Sequence, residues 1–243
     1  MNNSQSTPDW LQQLEEQSRI SQQAFMDNIS TRLRRPRMTE APAHPYRGAP
    51  EFWSGFQWSE QQRIDKFTTH FQEVGGHVVR LQTMGEAAEF IADHAMQMGA
   101  RYLVRQQQPE LAALRLEERL PDVQISSWNS DPDEAWTARA AEADIGVVIA
   151  DGAAAYTGTV MVTSAAQQGR SVSLLPTVCI VILPVDRLYT RLGELLIPMD
   201  EIGRENLPAG MHFISGPSRS SDIENDLTIG VHGPGIIYTL LVG

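Results

Sequence analysis

The chain has 243 residues, a single cysteine and a formal net charge of −11. That length holds one large domain with an appendage, or two small domains, and a core that hides roughly 70–75% of the unfolded surface. The acidic balance excludes nucleic acid and anionic membrane as partners, because both require a basic face. No apolar run approaches the roughly 20 residues that span a bilayer. The polar N-terminus lacks the basic start and apolar stretch of a signal peptide, so the expected location is cytoplasmic. Cys179 alone excludes an intrachain disulfide and any cluster held by several thiolates of this chain.

Residues 1–37 read as an N-terminal helical arm. Trp10, Leu11 and Leu14, then Phe25, Met26, Ile29 and Leu33, recur at helical spacing around a polar middle. This pattern predicts packing at two points, on a second copy of the chain or on a partner. Arg32, Arg34, Arg35 and Arg37 follow, either as a solvated basic end that suits the helix dipole or as a docking patch for an acidic partner. Residues 38–58 are proline-rich and without period, and read as a linker.

Residues 59–243 alternate helix and strand. Helices are predicted over 59–74, 85–98, 109–119, 131–143 and 185–196, and strands over 77–81, 102–105, 145–150, 158–163, around Cys179, over 211–214 and over 236–242. The continuous apolar runs Ile145–Ala150 and Thr177–Leu183 belong to strands buried on both faces. Cys179 in the second run reads as a small buried hydrophobe. The fold class is α/β, a mostly parallel sheet flanked by helices.

Two glycine-framed polar segments stand out. Ser215-Gly216-Pro217-Ser218-Arg219-Ser220-Ser221 follows a predicted strand, and Ser221 with Glu224 makes a capping-box pattern that predicts a helix from Asp222. A hydroxyl-rich turn, a cation and a helix N-terminus together suit a small anionic ligand. Gly230-Val231-His232-Gly233-Pro234-Gly235 places His232 on a solvent-reachable turn, and an imidazole is the side chain suited to proton transfer near neutral pH. A third segment, from Asp151-Gly152 to Thr157-Gly158-Thr159, lets backbone approach a ligand closely. The expected contacts are Ser215, Gly216, Ser218, Arg219, Ser220, Asp151, Thr157, Gly158 and Thr159, with His232 as the proton acceptor. Each segment alone is also an ordinary turn. No Cys/His zinc pattern and no glycine-rich nucleotide loop is present, so no metal site is assigned.

Taken in order, Ala143-Asp144-Ile145-Gly146, Thr157-Gly158-Thr159, Leu174-Leu175-Pro176, Ser215–Arg219 with Asp222-Ile223-Glu224, and Gly230–Pro234 resemble the LUD domain family over roughly residues 67–242. The resemblance implies a fold similar to the phosphosugar-isomerase and coenzyme A-transferase superfamily. It also implies a part in oxidising L-lactate to pyruvate, beside one cysteine-rich partner and one that carries iron–sulphur clusters. No cofactor is expected in this chain. Tyr156 stands where the family pattern often has an acidic residue, and Cys179 where it often has histidine. Tyrosine cannot form the acyl anhydride of a coenzyme A transferase. The sequence leaves open whether the chain is itself catalytic. The alternatives to an accessory or ligand-binding subunit are an enzyme on a small phosphorylated or coenzyme A-linked substrate, and a non-catalytic scaffold.

Overall fold

The computed structural model describes residues 9–37, 40, 55–221 and 227–243. It divides into two units, Met1–Phe56 and Gln57–Gly243. In the first, helix α1 (Asp9–Arg32) buries none of its residues, and Trp10, Leu14, Ile20 and Phe25 are all more than half exposed. Two guanidinium groups of the basic end find local acceptors. Arg32 donates to Asn28 Oδ1 at 2.8 Å, and Arg37 pairs with Asp27 at 3.4 Å. Residues 38, 39 and 41–54 of the expected linker lie outside the described residues.

In the second unit, α2 (Glu60–Glu73) starts at a reciprocal capping box between Ser59 and Gln62 and buries Ile64, Phe67 and Phe71, which share one helix face. Gly75-Gly76 turns the chain into β1 (His77–Leu81). Thr83 caps α3 (Met84–Met98), and left-handed Gly99 ends it before β2 (Tyr102–Arg105). The helix expected over 109–119 is two single turns, α4 (Pro109–Ala112) and α5 (Leu116–Arg119), because Arg115 between them is left-handed at φ 49°. The next strand, β3 (Gln124–Ser127), was not expected. α6 (Trp136–Glu142) begins later than predicted, since Asp131 Oδ1 accepts from the Asp133 amide at 3.0 Å and holds a turn there.

β4 (Ile145–Ile149), β5 (Gly152–Ala154), β6 (Thr159–Thr163), α7 (Ser171–Leu174) and β7 (Val178–Pro184) follow. The helix expected over 185–196 is absent as such. Val185–Arg187 is one tight turn, β8 (Leu188–Tyr189) pairs with Ala153 and Ala154, and α8 (Leu192–Glu201) starts only after it. β9 (Met211–Ile214), β10 (Arg219–Ser221), β11 (Leu227–Ile229) and β12 (Ile236–Val242) complete the chain. The helix start predicted at Asp222 falls on residues 222–226, outside the described ones. Ser221 and Leu227 on either side are paired strand residues of a hairpin.

Six parallel strands form the central sheet in the order β1-β12-β7-β4-β2-β3. One face packs on α3, α4 and α5 through Ile91, Leu103, Leu111 and Ile180. The other face packs on α2, α6, α7 and a second sheet of order β8-β5-β6-β9 through Phe67, Val148, Val160, Val172 and Val181. Gly146 permits this second layer to close. A Cβ there would lie 2.0 Å from the Val172 carbonyl oxygen. The architecture is therefore α/β, with helices on both faces of a parallel sheet. No helix among the described residues is long and apolar enough to cross a membrane.

Candidate functional site

The polar segments of the C-terminal region meet at the amino ends of β1, β7 and β12. The Gly235 amide donates to Thr177 O at 3.1 Å, just before β7. The Ser218 amide donates to Pro234 O at 2.9 Å, and the Gly230 amide to Ser218 O at 3.0 Å. Three backbone bonds thus tie Ser215–Arg219 and Gly230–Gly235 into one unit. The Thr157–Thr159 turn joins it, since Thr159 Oγ1 and Ser215 Oγ are 2.7 Å apart. Gly216 makes the approach possible. Its φ is +90°, and a Cβ would fall 2.8 Å from Val74 Cγ2. Ser220 pairs with Thr228 across the hairpin, and His232 is exposed on the loop between β11 and β12.

Ser215-Gly216 follows β9 of the second sheet and stands beside the amino ends of the parallel strands of the central sheet. Arg219 accordingly faces the C-terminal end of α2, where its guanidinium donates to Val74 O at 2.5 Å. A cation there complements the negative end of the helix dipole.

Asp151 is set apart from the other predicted contacts. It lies at the far end of the β5–β6 pair from Thr159, with Gly152 opposite Met161 and Ala154 opposite Thr159. Its Oδ2 accepts from the Thr163 amide at 2.6 Å and from Thr163 Oγ1 at 2.9 Å. Asp151 therefore anchors the open end of that hairpin.

Two histidines went unread in the sequence. His70, half-buried on α2, has Nδ1 2.9 Å from Ala155 O and packs against Gly158. His212 on β9 has Nε2 2.9 Å from Ser164 Oγ, and burial followed by the nearby charge of Arg170 lowers its pKa from the ordinary value of 6.5. The alternation along β9, which puts His212 on the same face as buried Ile214, was the available signal.

The two departures from the family pattern are structurally unlike. Cys179 is fully buried between Gly146 and Ile237, and burial pushes its thiol up to about 12. Such a thiol stays protonated and inert near neutral pH. Tyr156 is 43% exposed, with its ring 6.1 Å from that of Trp58.

The family model of the LUD domain matches residues 64–242, which span the central sheet. The chain belongs to the LUD domain family. Lactate utilization protein C of Halalkalibacterium halodurans is 32% identical over 216 residues, covering 87% of this chain and 93% of that protein. The lactate utilization protein C of Shouchella clausii shares 32% identity over 216 residues with the same coverage. Among solved structures, a DUF162 family protein from Deinococcus radiodurans superposes with a TM-score of 0.56 at 20% identity, covering 76% of this chain and 99% of that one. At that identity the likeness speaks for the fold alone.

Proposed function

We propose that this LUD protein serves lactate utilisation as an accessory, ligand-binding component of a system that oxidises L-lactate to pyruvate. The observation that carries the reading is the match to proteins named lactate utilization protein C along nearly their whole length. The chemistry of the chain agrees with a division of labour. Oxidising a 2-hydroxy acid releases two electrons, and the single thiol of this chain is buried and held protonated. The electron carriers then belong to iron–sulphur and cysteine-rich partner proteins, and the exposed apolar residues of α1 are a surface for assembly with them or with a second copy.

Within this role, the turns at the amino ends of β1, β7 and β12 hold a small anion. A guanidinium has five N–H donors, and Val74 takes one from Arg219. Ser215 and Ser218 belong to the same turn, and Ser220 to the strand that follows it. Exposed His232 is a proton acceptor for a 2-hydroxyl. Without a carboxylate at Tyr156 or an imidazole at Cys179, catalysis by the chain alone is the weaker reading.

Co-purification from lactate-grown cells tests the proposal. A tagged chain brings down cluster-bearing proteins, and lactate oxidation by that fraction falls when the chain is depleted. Lactate turnover by the purified chain without partners would favour an autonomous enzyme. Partner binding with undiminished oxidation after depletion would favour a scaffold.

A further inference from the structure

The opposite end of the second unit holds a cavity that none of the sequence motifs reaches. Its volume is about 460 Å³, and its walls include Trp128, Asn129, Ser164, Gly169, Arg170 and Gly210. It lies past the carboxyl end of β3, where Trp128 follows Ser127, and past the end of β6, where Ser164 follows Thr163. Parallel α/β sheets take their ligands at carboxyl ends, because the strand-to-helix loops there leave a crevice.

Three features distinguish this cavity from an ordinary surface dent. Ser164 on its wall has Oγ 2.9 Å from Nε2 of His212, which stands behind it next to Gly210, and the two form a hydrogen-bonding couple. Arg170 is exposed, and its guanidinium has no ion pair or hydrogen bond among the described residues. The Trp128 indole is packed so closely that a Cβ on Gly169 would fall 1.9 Å from its Cε2, so the glycine is what allows a flat aromatic wall. Outside the lining, Gln106 is fully buried with both side-chain amide atoms unpartnered, and Gln108 Oε1 is unpartnered as well. The Gln106 amide continues the β2–β4 ladder by donating to Val147 O at 3.2 Å. Strand alternation therefore places its side chain on the face of Tyr102 and Val104, against which Trp128 and Val172 also pack. The Gln107 amide donates to Gln167 O at 2.9 Å, joining this segment to the cavity loop.

We propose that this cavity binds a hydroxy or oxo acid, with its acid group on Arg170, its neighbouring oxygen on the Ser164–His212 couple and its body against Trp128. The choice of acid rests on the lactate reading above; the choice of site does not. Arg170 supplies a planar fork that matches a carboxylate. The couple can donate to a carbonyl or accept from a hydroxyl, since a serine hydroxyl does both. The volume falls within the range of small-molecule pockets, which exceeds a three-carbon acid. A body with a flat ring fills the cavity better than lactate does.

The test is titration of the full chain with L-lactate, 3-phenyllactate and inorganic phosphate, followed by calorimetry and by tryptophan fluorescence. 3-Phenyllactate binds most tightly and changes the fluorescence, L-lactate binds less tightly, and phosphate binds weakest. Arg170→Ala weakens 3-phenyllactate roughly 10- to 150-fold, the effect of losing a charged hydrogen bond. Ser164→Ala weakens it by a smaller factor. The proposal is overturned if none of the three binds at millimolar concentration, if phosphate binds as tightly as the acids, or if binding survives both Arg170→Ala and Ser164→Ala. Dependence of lactate oxidation on the chain together with any of these results would leave the lactate role standing and remove this site.

Discussion

The two polar ends of the second unit differ in what their hydrogen-bonding groups already do. At the amino ends of β1, β7 and β12, Ser218, Gly230 and Gly235 are joined by backbone bonds, Ser215 bonds Thr159, and Arg219 closes the end of α2. At the carboxyl end, the Arg170 guanidinium closes no helix end and the Gln106 side-chain amide has no partner among the described residues. A cation with a structural duty and a cation without one respond differently to removal. Stability and ligand affinity, measured side by side, therefore separate the two ends.

Gly216→Ala gives the largest expected loss of stability at the amino end. The substitution forces a positive φ on an L residue and drives a Cβ against Val74, so a cost of about 1–3 kcal/mol is expected in urea unfolding. An unchanged urea midpoint would mean that the turn is not packed on α2 as described. Arg219→Ala comes next. Loss of one charged bond at an exposed helix end costs about 1 kcal/mol, which lowers Tm by roughly 2–4 °C in a domain of this size. No change in Tm would show that Arg219 is idle in the free protein and reserved for a ligand.

A fall in pH reaches the carboxyl end through His212. Burial, then Arg170, lowers its pKa, and burial, then His77, lowers that of His94. Both rings bind protons more readily in the unfolded chain. Their contribution to stability is therefore complete above the unfolded pKa of about 6.5 and is lost as pH falls through the lower folded values. Urea midpoints at pH 7.5 and pH 5.5 should differ in that direction, and His212→Gln should narrow the gap. The smallest effect belongs to Arg170→Ala, which should move stability by no more than about 0.5 kcal/mol. A larger loss would make Arg170 structural and erase the contrast with Arg219.

Much of the scaffold was legible because local rules and tertiary packing agree there. Ile145–Ile149 and Val178–Pro184 are apolar runs that became strands buried on both faces, and the helices expected over 59–74 and 85–98 fall on α2 and α3. The second sheet was mostly hidden. Its strands have two to five residues and pair across long separations, as Leu188 does with Ala153 and Met211 with Thr163. The same pairing pulled 185–189 away from the predicted helix. Ser221 and Glu224 fit a capping box; Ser221 pairs with Leu227 as a strand residue, and the helix expected from Asp222 falls on residues 222–226, outside the described ones. At the polar ends, the glycine-framed turns were readable as places of close backbone approach. The Ser164–His212 couple was not, because 48 residues separate its members and only the β6–β9 pairing joins them.

The most direct test of the account is growth of a deletion strain that has no second copy of the chain. Loss of growth on L-lactate, with growth on glucose intact and lactate growth restored by the wild-type chain, is the result expected of a component of lactate oxidation. Normal growth of the deletion strain on L-lactate would contradict it.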